Sequence, residues 1–417
     1  MAKSNKEKLF QPLTSIKVVG VGGGGGNAVS RMSEDFARGV EFIAINTDQQ
    51  DLDHCQAKRK IHIGRNLTRG LGTGMNPEVG RQAAEENRSE IAEALRGADI
   101  VFISAGLGGG TGSGASPVIA EVAKQLGALT VAVVTKPFAF EGVQREKIAG
   151  EAALKLKDKV DALIVVPNDR IFSIISKDTP IMKAFASIDE ILKNALRGVV
   201  DLIVTPGIIN VDFADVRTVM ADSGSAIVGI GMGTGPERAI TAVTQALNSP
   251  LLEVSAEGAR GVLLGISGGR DLKMTEINEA AKLVAQTVSP DARIIFGAYY
   301  DKNLREGGIK ITVIATGFTG NPSSQSLFST PKSTISESSF SPIQQQAKSA
   351  PASSPSNGSS NTPREGTEDA LRRVARDIES TSIIEQRGPA RSSDPDSKKK
   401  EKDNDIWDIP TFLRRKK

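Results

Sequence analysis

Gly106-Leu107-Gly108-Gly109-Gly110-Thr111-Gly112-Ser113-Gly114 follows an apolar stretch, Asp99–Ala105, and precedes a helical pattern, Ser113–Leu126. A strand running into a glycine loop and then a helix brings bare backbone N–H groups and a positive helix end to one point, as a phosphate requires. A second such loop, Gly22–Gly26 with Asn27, follows the strand Ile16–Val21. A third, Gly70-Leu71-Gly72-Thr73-Gly74-Met75-Asn76, precedes another helix and is placed to close over a terminal phosphate. Two phosphate loops on one sheet suit a triphosphate better than a lone pyrophosphate. Thr111 and Ser113 offer hydroxyls to a phosphate or to Mg²⁺. Each loop alone is also consistent with a tight turn.

Working outward, the strands Glu41–Asn46, Thr130–Thr135 and Ala162–Val166 alternate with helical segments such as Asn76–Arg96. That alternation predicts an α/β fold with a parallel, doubly wound sheet. Pro117 falls in the first turns of its helix, where it is tolerated. Pro180–Val204 carries apolar residues at helical spacing and stops before Pro206-Gly207, so it reads as one long connecting helix. A second α/β pattern follows, with strands at Ser225–Gly231, Gly261–Ser267, Arg293–Tyr299 and Lys310–Ala315 and helices at Asp212–Ala221, Pro236–Asn248 and Thr275–Gln286. The organisation expected is a flexible N-terminus (1–12), a nucleotide-binding domain (13–180), a central helix (181–206), a second domain (207–319), a disordered Ser/Pro/Gln-rich linker (320–403) and a terminal peptide (404–417). Within the linker, 368–380 carries the spacing of a short amphipathic helix. The terminal peptide places Ile406, Trp407, Ile409, Phe412 and Leu413 beside basic residues, as a docking peptide would.

Composition removes several classes of function. The net charge is +3 over 417 residues, which gives no general case for nucleic acid. One cysteine, Cys55, allows no intrachain disulfide, and it reads as a small buried residue. With His54 and His62 the only histidines, neither a His-rich metal site nor a Ser–His–Asp triad is expected, and no dedicated metal-ligand set is identified. The N-terminal stretch lacks an apolar segment long enough for a secretory signal, and no run approaches the ~18 apolar residues of a membrane span. No Gly-Lys-Ser/Thr follows any of the glycine loops, so a P-loop lysine is missing. A dinucleotide-binding oxidoreductase remains an alternative. It would want an acidic residue after the second strand, where Asn46-Thr47-Asp48 stands.

The Gly108–Gly114 run resembles the signature of the tubulin/FtsZ family. So do Pro137-Phe138-Ala139-Phe140-Glu141-Gly142-Val143-Gln144-Arg145, the Asn-x-Asp-x-x-Asp pattern of Asn210, Asp212 and Asp215, and the tail Asp408–Arg414. The likeness runs from Ile16 to about Gly317 and favours the bacterial FtsZ branch over tubulin. It implies a GTPase that binds GTP/GDP with Mg²⁺ and polymerises head to tail into the protofilaments of a cell-division ring. It implies nucleotide contacts from Gly23, Gly24, Gly25, Gly26, Asn27, Asn46, Gly74, Gly108, Gly109, Gly110, Thr111 and Gly112, with Glu141 and Arg145 at ribose and phosphate. Asn168, Phe185 and Asp189 would read guanine, with Glu190 a rival for the last role. Asn210, Asp212 and Asp215, which otherwise read as helix-capping residues, would complete the site of the next subunit. Further implications are adaptor and regulator proteins bound through 405–417, only indirect membrane contact, and a cytoplasmic protein assembling at mid-cell under the inner membrane.

Overall fold

The computed structural model describes residues 14–33, 39–173, 175–176, 178–249, 255–301, 304–305 and 307–318. The expected N-terminus 1–12, the linker 320–403 with its 368–380 helix, and the peptide 404–417 lie outside the described residues. The strands are β1 (Ile16–Val21), β2 (Val40–Asn46), β3 (Arg59–His62), β4 (Ile100–Gly106), β5 (Leu129–Lys136), β6 (Ala162–Pro167), β7 (Gly224–Thr234), β8 (Gly261–Gly268), β9 (Arg293–Tyr300) and β10 (Gly308–Thr316). The helices are α1 (Gly22–Ser33), α2 (Gln49–His54), α3 (Arg65–Thr68), α4 (Pro77–Glu86), α5 (Arg88–Leu95), α6 (Gly110–Gln125), α7 (Val143–Lys157), α8 (Ile181–Val204), α9 (Phe213–Met220), α10 (Arg238–Leu247) and α11 (Met274–Thr287).

All ten strands among the described residues form one sheet in the order β3-β2-β1-β4-β5-β6-β7-β10-β8-β9. Only β10 runs against its neighbours, β7 and β8. The first six follow the doubly wound order in which the chain leaves β1 in one direction and β4 in the other. Alternate residues serve opposite faces. Val18 and Phe102 join α1 and α8 in one core, and Val19 and Ile103 join α4, α5, α6 and α7 in the other. Covered on both sides, these strands read as unbroken apolar runs, which is why they were visible in the sequence. The sheet continues past β6 through three residue pairs with β7.

Two local expectations are corrected, and one strand is added. The segment 76–96 is two helices, broken at Asn87, whose side chain accepts from Gly64 N (2.9 Å) and donates to Glu90 (3.0 Å). β3 carried no period because it is a four-residue edge strand with charged Arg59 and Lys60. Pro117 lies in the interior of α6, because that helix begins inside the glycine run at Gly110 and not at Ser113. No described helix is long and apolar enough to cross a membrane.

In the second half, α10 and α11 are tied by Arg238, whose side chain is 5% exposed. It donates to both oxygens of Glu276 (2.7 and 2.9 Å) and to Asp271 (2.5 Å). Arg238→Ala is expected to lower stability by about 3 kcal/mol or more, because it strands the Glu276 charge. Chemical denaturation would measure it. The Arg238 hydrogen bonds hold the Glu276 carboxyl below its usual range. The pair's contribution is therefore present above the ordinary glutamate pKa and lost as pH falls through the lower folded-state value.

Candidate functional site

The carboxyl ends of β1 and β4, where the strand order reverses, open a crevice in a doubly wound sheet. Both glycine runs enter it. The first is not a loop ahead of a helix, as the sequence suggested, but the first turn of α1 itself, while the second passes from the end of β4 through a short turn, Leu107–Gly109, into the first turn of α6. The first turns of α1 and α6 carry no side chain larger than Thr111, so their unbonded N–H groups lie bare at the cavity. Gly23, Gly24 and Asn27 line it from α1, and Gly110, Thr111 and Gly112 from α6, with Gly109 just before that helix. The third glycine stretch supplies Gly72, Thr73 and Met75. It is strung to the end of β2 by a bridge between Asp48 and Leu71 and by Gln49 N donating to Gly70 O (3.2 Å).

The opposite wall comes from Pro137 and Glu141 before α7, Arg145 of α7, Asn168 just after β6, and α8. Glu141 accepts from Phe138 N (2.9 Å) and pairs with Arg145 (2.9 Å), which fixes both side chains at the rim. Phe185 meets Phe138 edge-on, with centroids 5.5 Å apart, and the Phe138 ring also stacks on Phe140. Asp189 is ion-paired with Arg31 of α1. Among the described residues, Asn168 Oδ1 is buried with no hydrogen-bond partner. Asn46 also lines the cavity, with its Oδ1 accepting from Thr47 N (2.8 Å). Asp48 uses its carboxylate to cap α2.

Four expected contacts do not line this cavity. A Cβ on Gly25 would lie 2.3 Å from Ser104 O, so Gly25 lets α1 press on the sheet. Gly108 donates its N–H to Ser113 Oγ (2.9 Å), and neither residue lines the cavity. Gly26 lines a small neighbouring recess with Cys55. Gly74 is passed over while Thr73 and Met75 line the wall. Of the two rival carboxylates, Asp189 faces the cavity and Glu190 is exposed. Helical spacing explains the choice. Asp189 lies four residues from Phe185 on the same face, and one residue more turns the side chain ~100° away. The same rule could have found Arg31, four residues after Asn27, and Leu192, seven after Phe185.

The lining carries four carboxylates (Asp48, Asp51, Glu141, Asp189) against two guanidiniums (Arg31, Arg145). A metal cation carried by a polyphosphate would offset this excess of carboxylate. Among the described residues no cluster of three His, Cys, Asp or Glu side chains could hold a metal by itself. The donor set thus fits a hard cation held largely by the phosphates, as Mg²⁺ commonly is.

Asn210, Asp212 and Asp215 are exposed and are not part of the cavity. Asp212 caps α9, accepting from Asp215 N (2.7 Å), and Asn210 accepts from Gly207 N (2.7 Å). The far end of α6 meets α9 and the turn after it, through Arg217 on Gly127 O (2.8 Å) and Lys124 on Asp222 (2.7 Å). Since α6 starts at the cavity and rises ~1.5 Å per residue, these acids sit at the opposite pole of the sheet, on the order of 20 Å away.

The profile of the tubulin/FtsZ family GTPase domain matches residues 15–176, and that of the FtsZ family C-terminal domain matches 224–319. An empty FtsZ dimer from M. jannaschii is 47% identical, superposes with a TM-score of 0.70, and is covered over 88% of its length by 73% of this chain. The chain belongs to the tubulin/FtsZ family. A tryptophan-to-tyrosine mutant of M. jannaschii FtsZ matches with the same identity and TM-score, over 91% of its length. CetZ2 from Haloferax volcanii, a GTPγS-bound protofilament, is 23% identical with a TM-score of 0.63 and shares the fold. As a tubulin/FtsZ GTPase domain, residues 15–176 bind GTP and GDP and hydrolyse GTP. The strand order alone would equally serve a dinucleotide. The second bare helix start and the family match decide for GTP.

Proposed function

We propose that this chain is an assembly-dependent GTPase of bacterial cell division, which polymerises head to tail and hydrolyses GTP between subunits. One observation carries the reading. The nucleotide cavity and the acids Asp212 and Asp215 lie at opposite poles of one continuous sheet. No single chain can bring them together, but stacking one subunit on the next does, and such a heterologous contact propagates as a filament. One similar structure is an FtsZ dimer, and another that shares the fold is a CetZ2 protofilament.

In this mechanism the first turns of α1 and α6 cradle the phosphates. Gly110, Thr111 and Gly112 take the β- and γ-phosphates, and Glu141 and Arg145 hold ribose and phosphate. Phe185 stacks on the base. Asp189 and the orphaned Asn168 Oδ1 accept from the guanine edge. Mg²⁺, when bound, neutralises charge on the phosphates. Asn210, Asp212 and Asp215 of the adjoining subunit orient and activate the attacking water. Phosphoryl transfer depends on placement and charge, so withholding one part couples hydrolysis to assembly. Residues 13–180 and 207–319 act as two domains joined by the helix 181–206. The peptide 405–417 docks on adaptor and regulator proteins, so that a cytoplasmic filament is held at mid-cell under the inner membrane only indirectly.

Phosphate release measured against protein concentration, with light scattering in parallel, tests this. The rate per subunit is expected to be negligible below a threshold concentration and to rise together with scattering above it. A rate per subunit independent of concentration would place catalysis within one chain and return Asp212 and Asp215 to helix capping.

A further inference from the structure

Thr47 follows β2 and is completely buried, outside the cavity lining. Its hydroxyl lies 2.7 Å from that of Thr111. Thr111 reaches a second hydroxyl, Thr73, on the other side at 3.4 Å, and both Thr111 and Thr73 line the cavity. The Thr47 carbonyl accepts from Thr68 Oγ1 (3.2 Å) and faces His62 Nε2 at 3.3 Å.

Each threonine hydroxyl has one proton to donate and two lone pairs that accept. Among the described residues the Thr47 hydroxyl has a single hydrogen-bond partner, Thr111 Oγ1. A fully buried hydroxyl without a bond for its proton is costly. Thr47 therefore donates and Thr111 accepts. That leaves the Thr111 proton only the side of the cavity, where it meets either Thr73 or the oxygen of a ligand. Accepting one bond also polarises the Thr111 O–H as a donor for the next.

We propose that Thr47 is a positioning residue for the GTPase reaction, fixing the Thr111 hydroxyl as a donor to a phosphate oxygen of bound GTP. This rests on the reading above in which Thr111 contacts the phosphates. Thr73 receives the same proton when no phosphate is there, so the third glycine stretch and the nucleotide compete for one hydrogen bond.

The test uses two variants of the full chain that part hydroxyl from volume. Thr47→Val keeps the shape and removes the donor. Thr47→Ser keeps the donor and removes a methyl group. Binding of a slowly hydrolysed GTP analogue is titrated for each, alone and combined with Thr111→Val. Thr47→Val is expected to weaken binding about five- to tenfold, the scale of one net hydrogen bond, and Thr47→Ser less than about twofold. In the Thr111→Val background, Thr47→Val is expected to add nothing. If Thr47→Ser weakens binding as much as Thr47→Val, or if Thr47→Val costs the same without the Thr111 hydroxyl, the side chain acts by packing and the proposal is overturned. If Thr111→Val itself leaves binding unchanged, the underlying phosphate contact fails instead.

Discussion

Asp212→Asn is expected to lower GTP turnover by roughly a hundredfold or more, the scale of losing one positioned catalytic group, with GTP affinity and melting temperature close to wild type. Asparagine is the informative replacement because Asp212 also caps α9 through Asp215 N. Asparagine caps a helix as well as aspartate does, whereas alanine would cost about 1 kcal/mol and mix instability with catalysis. Because the acid lies far from its own subunit's cavity, the defect should be complemented. Chains with Asp212→Asn, mixed with chains whose cavity is spoiled, would recover turnover at contacts pairing an intact cavity with an intact acid. Full activity of Asp212→Asn alone, or no recovery on mixing, would end the shared-site reading.

Gly114→Ala is expected to cost about 3 kcal/mol or more and to weaken GTP binding at least about tenfold. A Cβ at Gly114 would stand 2.0 Å from Pro77 O and 2.7 Å from Arg81 N, both backbone atoms of α4. Gly110, one helical turn earlier, is as tightly held, with a Cβ meeting Thr73 Oγ1 at 2.1 Å. Backbone cannot rotate aside as a side chain can, so α6 would have to shift and take its phosphate-binding first turn with it. Gly109→Ala is the control. It lines the same cavity, a Cβ there meets nothing within 4 Å, and its φ of −92° suits any residue. Its melting temperature should match wild type. Equal destabilisation by both variants would show that close packing of α4 and α6 is not what Gly114 provides.

The contrast between Gly109 and Gly114 shows what the sequence could and could not disclose. A run of glycines at the end of a buried strand announces that backbone comes close to something. It does not tell whether that something is an open cavity, as at Gly109, or another helix or strand, as at Gly114 and Gly25. The parallel half of the sheet was legible because burial on both faces leaves unbroken apolar runs. β3 was not, since an edge strand with Arg59 and Lys60 has no such run. The break at Asn87 was hidden because it depends on a partner, Gly64, distant in sequence. Arg31 was overlooked because an arginine near a helix end reads as a dipole complement, and its partner Asp189 lies across the fold. The placement of Asp212 opposite the cavity follows from the direction of α6 and α8, which no local motif encodes.

The opposite placement of cavity and acids has a consequence for counting. A row of stacked subunits has one fewer junction than it has members. On the proposed reading a dimer would hold one working centre for two bound nucleotides, and each added subunit would bring one more. The terminal subunit whose cavity faces solvent would keep an uncut triphosphate, open to exchange. The subunit at the other terminus presents its acids to no nucleotide. The two tips of such a row are therefore chemically different from the first contact onward, and average turnover per chain reports the mean length of the row.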